Sequence, residues 1–259
     1  MAVNNVRALA PKFEEYTAPP ITIDRKDFIA DRWRYRPGEH VTFIGPTGSG
    51  KTYLSFQLLR RSANKKLQGL VLVIKPKDET VKDWTKTLKF RTVKDWPPAW
   101  WHEFFGRPPG YTIWPPHTFD AEIDNHRLEM VMRRVLIYAY KTGNKIIFTD
   151  EIYGLVKELD LEEQMNAILS RGRGMGSGVW EASQRPYNMP QLGYSGASHL
   201  FLARDPDERD RERFGEIGGV DPKYIERITL RLPKFHWLYI RREGDDPNST
   251  DPAMCIVGA

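Results

Sequence analysis

The 259-residue chain has one cysteine, Cys255, so it can close no internal disulfide and offers no thiol cluster to zinc. A reducing, cytoplasmic setting is the expectation. Long apolar runs are missing too: the two longest, residues 69–74 and 135–140, fall far short of the roughly 20 residues a spanning helix needs. The start of the sequence lacks the apolar stretch of a secretion signal, and no membrane is expected as a partner. No internal repeat recurs at a fixed period. His102, His117 and His126 do not fall at a metal-ligand spacing and read as ordinary surface or core histidines. What remains is 40% apolar, 12% aromatic and 28% charged, a mixture that can bury one core.

The net charge of +5 is small, but it is concentrated. Residues 60–94 hold eleven basic side chains against three acidic ones, which suits a polyanion or a solvated face balanced elsewhere in the fold. Residues 1–38, broken by Pro11, Pro19, Pro20 and Pro37, read as an N-terminal arm. Residues 39–243 read as the folded domain, and the acidic, proline-containing segment 244–259 as a loose tail.

Within the domain, residues 40–45 (HVTFIG) predict a buried strand, and a glycine-rich turn then opens a helix over 52–63. A Val- and Ile-rich run at 69–74 predicts a second strand covered on both faces. Residues 76–118 carry five of the eight tryptophans and three proline pairs, and read as an irregular insertion. A helix over 119–141, a strand at 146–149, a helix at 158–169, strands at 179–183 and 199–203, a charged helix at 205–217 and a strand at 235–241 follow. Strands alternating with helices imply an α/β fold with a parallel central sheet.

Gly45-Pro46-Thr47-Gly48-Ser49-Gly50-Lys51-Thr52 matches the phosphate-loop pattern G-x-x-x-x-G-K-[ST] in full, between a predicted strand and a predicted helix. Its glycines let backbone N–H groups turn inward around phosphates at a helix N-terminus. Lys51 would reach the outer phosphates and Thr52 would hold Mg²⁺. The expected ligand is ATP with magnesium, because no Asn-Lys-x-Asp element for guanine is present and Asn144-Lys145 runs into a strand.

A phosphate loop needs an acidic partner on a neighbouring strand, and residues 145–151 (KIIFTDE) end an apolar strand in two carboxylates, a Walker B pattern. Asp150 would hold the metal through Thr52 or the metal's water shell, and Glu151 would polarise the attacking water. Gln184, at the tip of the strand ending ASQRP, is placed to touch both the γ-phosphate and that water. Arg171 and Arg173 lie before this strand, facing away from their own nucleotide. They can reach a neighbouring subunit's nucleotide, or serve as surface or DNA-contacting charge in a glycine-rich turn.

Taken together, GPTGSGKT, IIFTDE followed by IYGL, RGRGMGSG and ASQRP resemble the FtsK/HerA superfamily of P-loop ATPases over roughly residues 38–242. The later HLFLARDP is similar to the strand and charged helix that close the family core. The resemblance implies a RecA-like core with extra strands, Glu151 as activator of water, Gln184 as sensor and Arg171 or Arg173 acting across a ring interface. It also implies a homo-oligomeric ring, pentamer or hexamer, that moves double-stranded DNA. With neither a membrane anchor nor a winged-helix DNA reader in this sequence, the expectation narrows to a phage genome-packaging ATPase that docks on a portal or capsid protein in the host cytoplasm. The alternatives are an ATPase that drives protein secretion or virion extrusion, and an ATP-gated DNA-binding switch for partition or replication.

For DNA contact the candidates are Lys82, Lys86, Lys89, Arg91 and Lys94, since a ring motor grips phosphates without reading sequence. Trp100 and Trp101 are candidate stacking groups, although paired Trp beside Pro more often caps a core or an interface.

Overall fold

The computed structural model describes residues 20–99, 106–185, 189, 193, 195–218, 222–242 and 254–259. Trp100, Trp101 and His102 lie outside them, as do residues 1–19 of the expected arm. The strands are β1 (Thr22–Ile23), β2 (Val41–Ile44), β3 (Gln68–Leu72), β4 (Arg91–Val93), β5 (Gly110–Ile113), β6 (Lys145–Thr149), β7 (Gly178–Ser183), β8 (His199–Ala203), β9 (Trp237–Arg241) and β10 (Met254–Val257). Among the described residues they form one sheet, ordered β1-β10-β9-β8-β2-β7-β6-β3-β5-β4. From β8 to β4 every pairing is parallel; β9 runs antiparallel to both β8 and β10. The fold is α/β with a mostly parallel central sheet.

The helices are α1 (Arg25–Asp27), continued by a π turn over Phe28–Arg32, then α2 (Lys51–Ser62), α3 (Glu79–Thr87), α4 (Ala121–Thr142), α5 (Glu162–Arg171), α6 (Glu208–Gly218) and α7 (Pro222–Arg231). Successive strand residues point to opposite faces, so β6 sends Ile147 to one core and Ile146 and Phe148 to the other. The first core packs Leu128, Val135 and Leu136 of α4, Met165 and Ile168 of α5 and Ile225 of α7. The second packs Leu54, Phe56 and Leu58 of α2 with Phe28, Trp33 and Trp180. Both faces are covered, which explains why the strands read as continuous apolar runs.

Five expectations need correction. Residues 76–118 are not irregular throughout: Asp78 caps α3 by accepting from the Val81 N–H, and β4 and β5 extend the parallel sheet beyond β3. Strands of three and four residues are too short to show a period, and the proline pairs lie between elements rather than within them. The described part of the arm, residues 20–38, belongs to the domain, because Phe28 and Trp33 are buried against Phe201, Tyr239 and Trp180. The end of the expected loose tail is β10, paired to β9 and β1. The strand expected from 235 starts at Trp237, while Phe235 sits in the preceding turn with φ +64°.

The expected helix at 158–169 is also displaced: a π turn covers Gly154–Glu158, Asp160 adopts φ +50°, and α5 begins at Glu162. Helix α7 went unrecognised, although its buried Tyr224, Ile225, Ile228 and Thr229 follow helical spacing.

The inclusion of residues 20–38 in the domain is testable. Trp33→Ala removes a nearly fully buried side chain and is expected to cost about 3–5 kcal/mol of unfolding free energy. An unchanged urea midpoint would contradict that placement.

Candidate functional site

In a parallel sheet the carboxyl ends of the strands share one edge, and here four of them deliver polar groups to one place. The loop after β2 is Gly45–Gly50. Its Gly45 N–H donates to the Ser183 carbonyl at 3.2 Å, fastening the loop to the tip of β7. A Cβ at Gly45 would lie 2.5 Å from the Ala203 methyl, so no larger residue fits against β8. Gly50 caps α2 with φ +91°, a left-handed backbone suited to glycine, and no side chain caps the helix. The first N–H groups of α2 therefore form a ready anion site. The Ser49 hydroxyl is buried beside them without a hydrogen-bond partner.

Lys51 is 8% exposed and its Nζ donates to the Gly45 carbonyl at 2.6 Å and the Pro46 carbonyl at 3.1 Å. Burial lowers its pKa, against the pull of Asp150 and Glu151. The Thr52 hydroxyl donates to Asp150 Oδ1 at 2.9 Å, although Asp150 directly follows β6, two strands from β2. The expectation that the acidic strand neighbours the loop strand is thus corrected: β7 lies between them.

That intervening strand carries Gln184. Thr47 Oγ1 donates to Gln184 Oε1 at 3.0 Å, and Gln184 Nε2 approaches Glu151 Oε2 at 3.4 Å. Two strand spacings are about 10 Å, and one glutamine side chain joins the phosphate loop to the acidic strand across that gap. The Glu151 carboxyl is pushed above the ordinary glutamate range, chiefly by burial, while Lys75, Lys51 and the Gln184 amide pull the other way.

Lys75 is the site residue that sequence reasoning missed. It was counted in the basic run, yet its Nζ lies 3.3 Å from Asp150 Oδ2, and its carbonyl accepts from Trp114 Nε1 at 2.9 Å. The signal was its position just beyond β3, legible only once β3 is known to pair with β6. Two cations and two carboxylates thus converge on one sheet edge. Thr52 and Asp150 offer a hydroxyl and a carboxylate oxygen, the hard donors that magnesium takes alongside phosphate oxygens. Among the described residues no group of three or more His, Cys, Asp or Glu could hold a metal by itself.

Arg171 and Arg173 lie at the other end of β7, about 20 Å from Gln184 along six strand residues. Arg171 stacks over Tyr140, 5.6 Å from its ring centre, and the Arg173 carbonyl packs under Gly38. Lys82 and Lys86 lie on α3 in ion pairs with Glu79 and Asp83, at 3.1 and 3.8 Å. Their stripe of the helix is therefore charge-balanced, and the excess counted in the sequence does not form one unbroken basic face. Lys89 and Lys94 are exposed near β4, and Arg91 is half-buried. His117 pairs with Asp124 at 3.3 Å where α4 begins, and His126 approaches Glu129 at 4.0 Å.

A family model described as type III restriction enzyme, res subunit, matches residues 7–98. No curated protein matches the chain. Among solved structures, the genome packaging NTPase B204 from Sulfolobus turreted icosahedral virus 2, in complex with AMP, superposes with a TM-score of 0.55 at 15% identity. That match covers 80% of this chain and 94% of B204. VirB4 of Thermoanaerobacter pseudethanolicus reaches 0.56 at 9% identity, over 78% and 86% of the two chains. The cytoplasmic domain of the Thermomonospora curvata type VII secretion ATPase EccC reaches 0.51 at 18%, over 89% of this chain and 26% of that one. At these identities the likeness establishes the fold alone: an α/β fold with a mostly parallel central sheet and a glycine-rich loop between β2 and α2, shared with these structures. No helix of the described residues is long and apolar enough to cross a membrane.

The Glu151 environment yields a pH prediction. A raised carboxyl pKa holds Glu151 protonated to a higher pH than usual, so a turnover that needs its carboxylate is expected to rise as pH climbs through it. Gln184→Ala removes a hydrogen bond that lowers that pKa, so the acid limb of kcat is expected to move to higher pH. A limb that stays in place while kcat falls would mean that Gln184 does not touch the Glu151 proton.

Proposed function

We propose that this chain hydrolyses ATP and uses the reaction to move double-stranded DNA, acting as a homo-oligomeric ring that packages a viral genome. The observation that carries the catalytic part is the side-chain path Thr47–Gln184–Glu151, which ties the phosphate loop to the carboxylate beside it. In this reading Lys51 leaves the Gly45 and Pro46 carbonyls for the outer phosphates. Thr52 and Asp150 hold Mg²⁺, which offsets phosphate charge when bound. Glu151 accepts a proton from the attacking water, and Gln184 aligns that water while sensing the γ-phosphate. Lys75 holds Asp150 in place until nucleotide arrives.

Arg171 and Arg173 sit too far from this edge to act on their own subunit's nucleotide, which supports their action in trans across a ring interface. The DNA-moving role is supported by the likeness to B204, whose matched portion is nearly its whole chain. Contacts to DNA would come from Lys82, Lys86, Lys89, Arg91 and Lys94, and docking would use a portal or capsid protein in the host cytoplasm. EccC, a type VII secretion ATPase, superposes at a TM-score of 0.51, and it favours a second reading in which the motor drives secretion or assembly of protein.

The deciding experiment is steady-state ATP hydrolysis by the full chain with and without long double-stranded DNA, with particle size followed on the same samples. Stimulation by DNA in ring-sized particles is expected. Turnover indifferent to DNA would reject the DNA motor in favour of the protein-assembly reading. Arg173→Ala is expected to bind ATP normally and lose turnover; normal hydrolysis by that variant would remove Arg173 from the trans role. Replacing Lys86 and Lys89 together is expected to weaken DNA binding and flatten its salt dependence.

A further inference from the structure

Gly50 opens α2, and the atom closest to where its Cβ would lie is Cδ1 of Phe235, at 3.3 Å. An aromatic ring thus borders the residue whose helix end is offered to phosphate. Phe235 is 42% exposed and holds φ +64°, a backbone state that a bulky side chain rarely adopts. The turn is also anchored: the Arg25 guanidinium donates to the Phe235 carbonyl and, at 3.1 Å, to the Gly258 carbonyl. Lys234 Nζ lies 4.9 Å from the ring centre.

Residues three and seven positions beyond Gly50 share its face of α2. They are Tyr53, half exposed with its ring edge-on to Trp84 at 5.4 Å, and Gln57. Both line a cleft of about 770 Å³, with Arg25 and Trp84 in its wall. That volume lies within the range of small-molecule sites. Phosphates held on the first N–H groups of α2 would leave the rest of a nucleotide outside the loop, and Phe235 offers an aromatic face beside that helix end.

We propose that Phe235 is the stacking platform for the base of the bound nucleoside triphosphate. The proposal rests on the reading of Gly45–Thr52 as a triphosphate site and adds the part of the ligand which that loop does not recognise. A flat ring selects by overlap area, so a purine is preferred over a pyrimidine.

The test is equilibrium titration of the full chain, with magnesium, against a non-hydrolysable ATP analogue, CTP and inorganic tripolyphosphate. Phe235→Gly keeps the left-handed backbone free of strain, so loss of binding cannot be ascribed to the turn. It is expected to weaken the ATP analogue about tenfold, within the range seen for loss of one base stack. Tripolyphosphate should stay within about twofold and the preference over CTP should shrink, with Phe235→Tyr restoring both. Equal weakening of the analogue and tripolyphosphate would mean that the ring merely supports the phosphate loop, and would overturn the proposal. Unchanged affinity for the analogue would also overturn it. A wild-type chain that binds neither ligand would instead overturn the triphosphate reading on which it rests.

Discussion

Hydrogen-bond register in a parallel sheet decides which loops meet, because parallel strands all end on the same edge. Here the order β2-β7-β6-β3 aligns the phosphate loop, Gln184, the Asp150–Glu151 pair and Lys75 along that edge. Glycine at position 45 lets the loop press against β8, and the bond from its N–H to Ser183 sets its height relative to β7. Without β7 in second place, Gln184 would have no gap to bridge. The two apolar cores on either face keep these strands in line, including the aromatic group that Phe28 and Trp33 bring from residues before the loop.

The electrostatics of the edge follow from that alignment. Lys51 and Lys75 face Asp150 and Glu151, two positive charges against two negative ones; Lys75 is exposed and the other three are at least partly withdrawn from water. Lys51 bonds to two loop carbonyls and Lys75 holds Asp150, so both lysines have partners that an incoming polyanion can replace. A triphosphate would supply the negative charge that draws them away. Burial of Glu151 disfavours its charged form, which makes it a better proton acceptor than an exposed glutamate.

Much of this was legible in the sequence, for reasons that differ between residues. The phosphate loop and the KIIFTDE strand are local patterns, in which chemistry and chain neighbours coincide. Gln184 was legible as the polar end of a buried strand. Lys75 was not, because its meaning depends on the pairing of β3 with β6, more than 70 residues apart. The short strands β4 and β5 carry too few residues for a period, and β10 gains its order from β9 rather than from its own composition. The pairing inside the basic run was not legible either: Glu79 and Asp83 sit on the same stripe of α3 as Lys82 and Lys86, and a linear count cannot see helical neighbours.

The central claim is that Glu151 performs chemistry while the phosphate loop performs binding. The direct measurement is ATP affinity and single-turnover phosphate release by Glu151→Gln beside the wild-type chain. The account predicts affinity within a few-fold of wild type and release slowed by at least about 100-fold, the usual contribution of a positioned base. Release at the wild-type rate would contradict it.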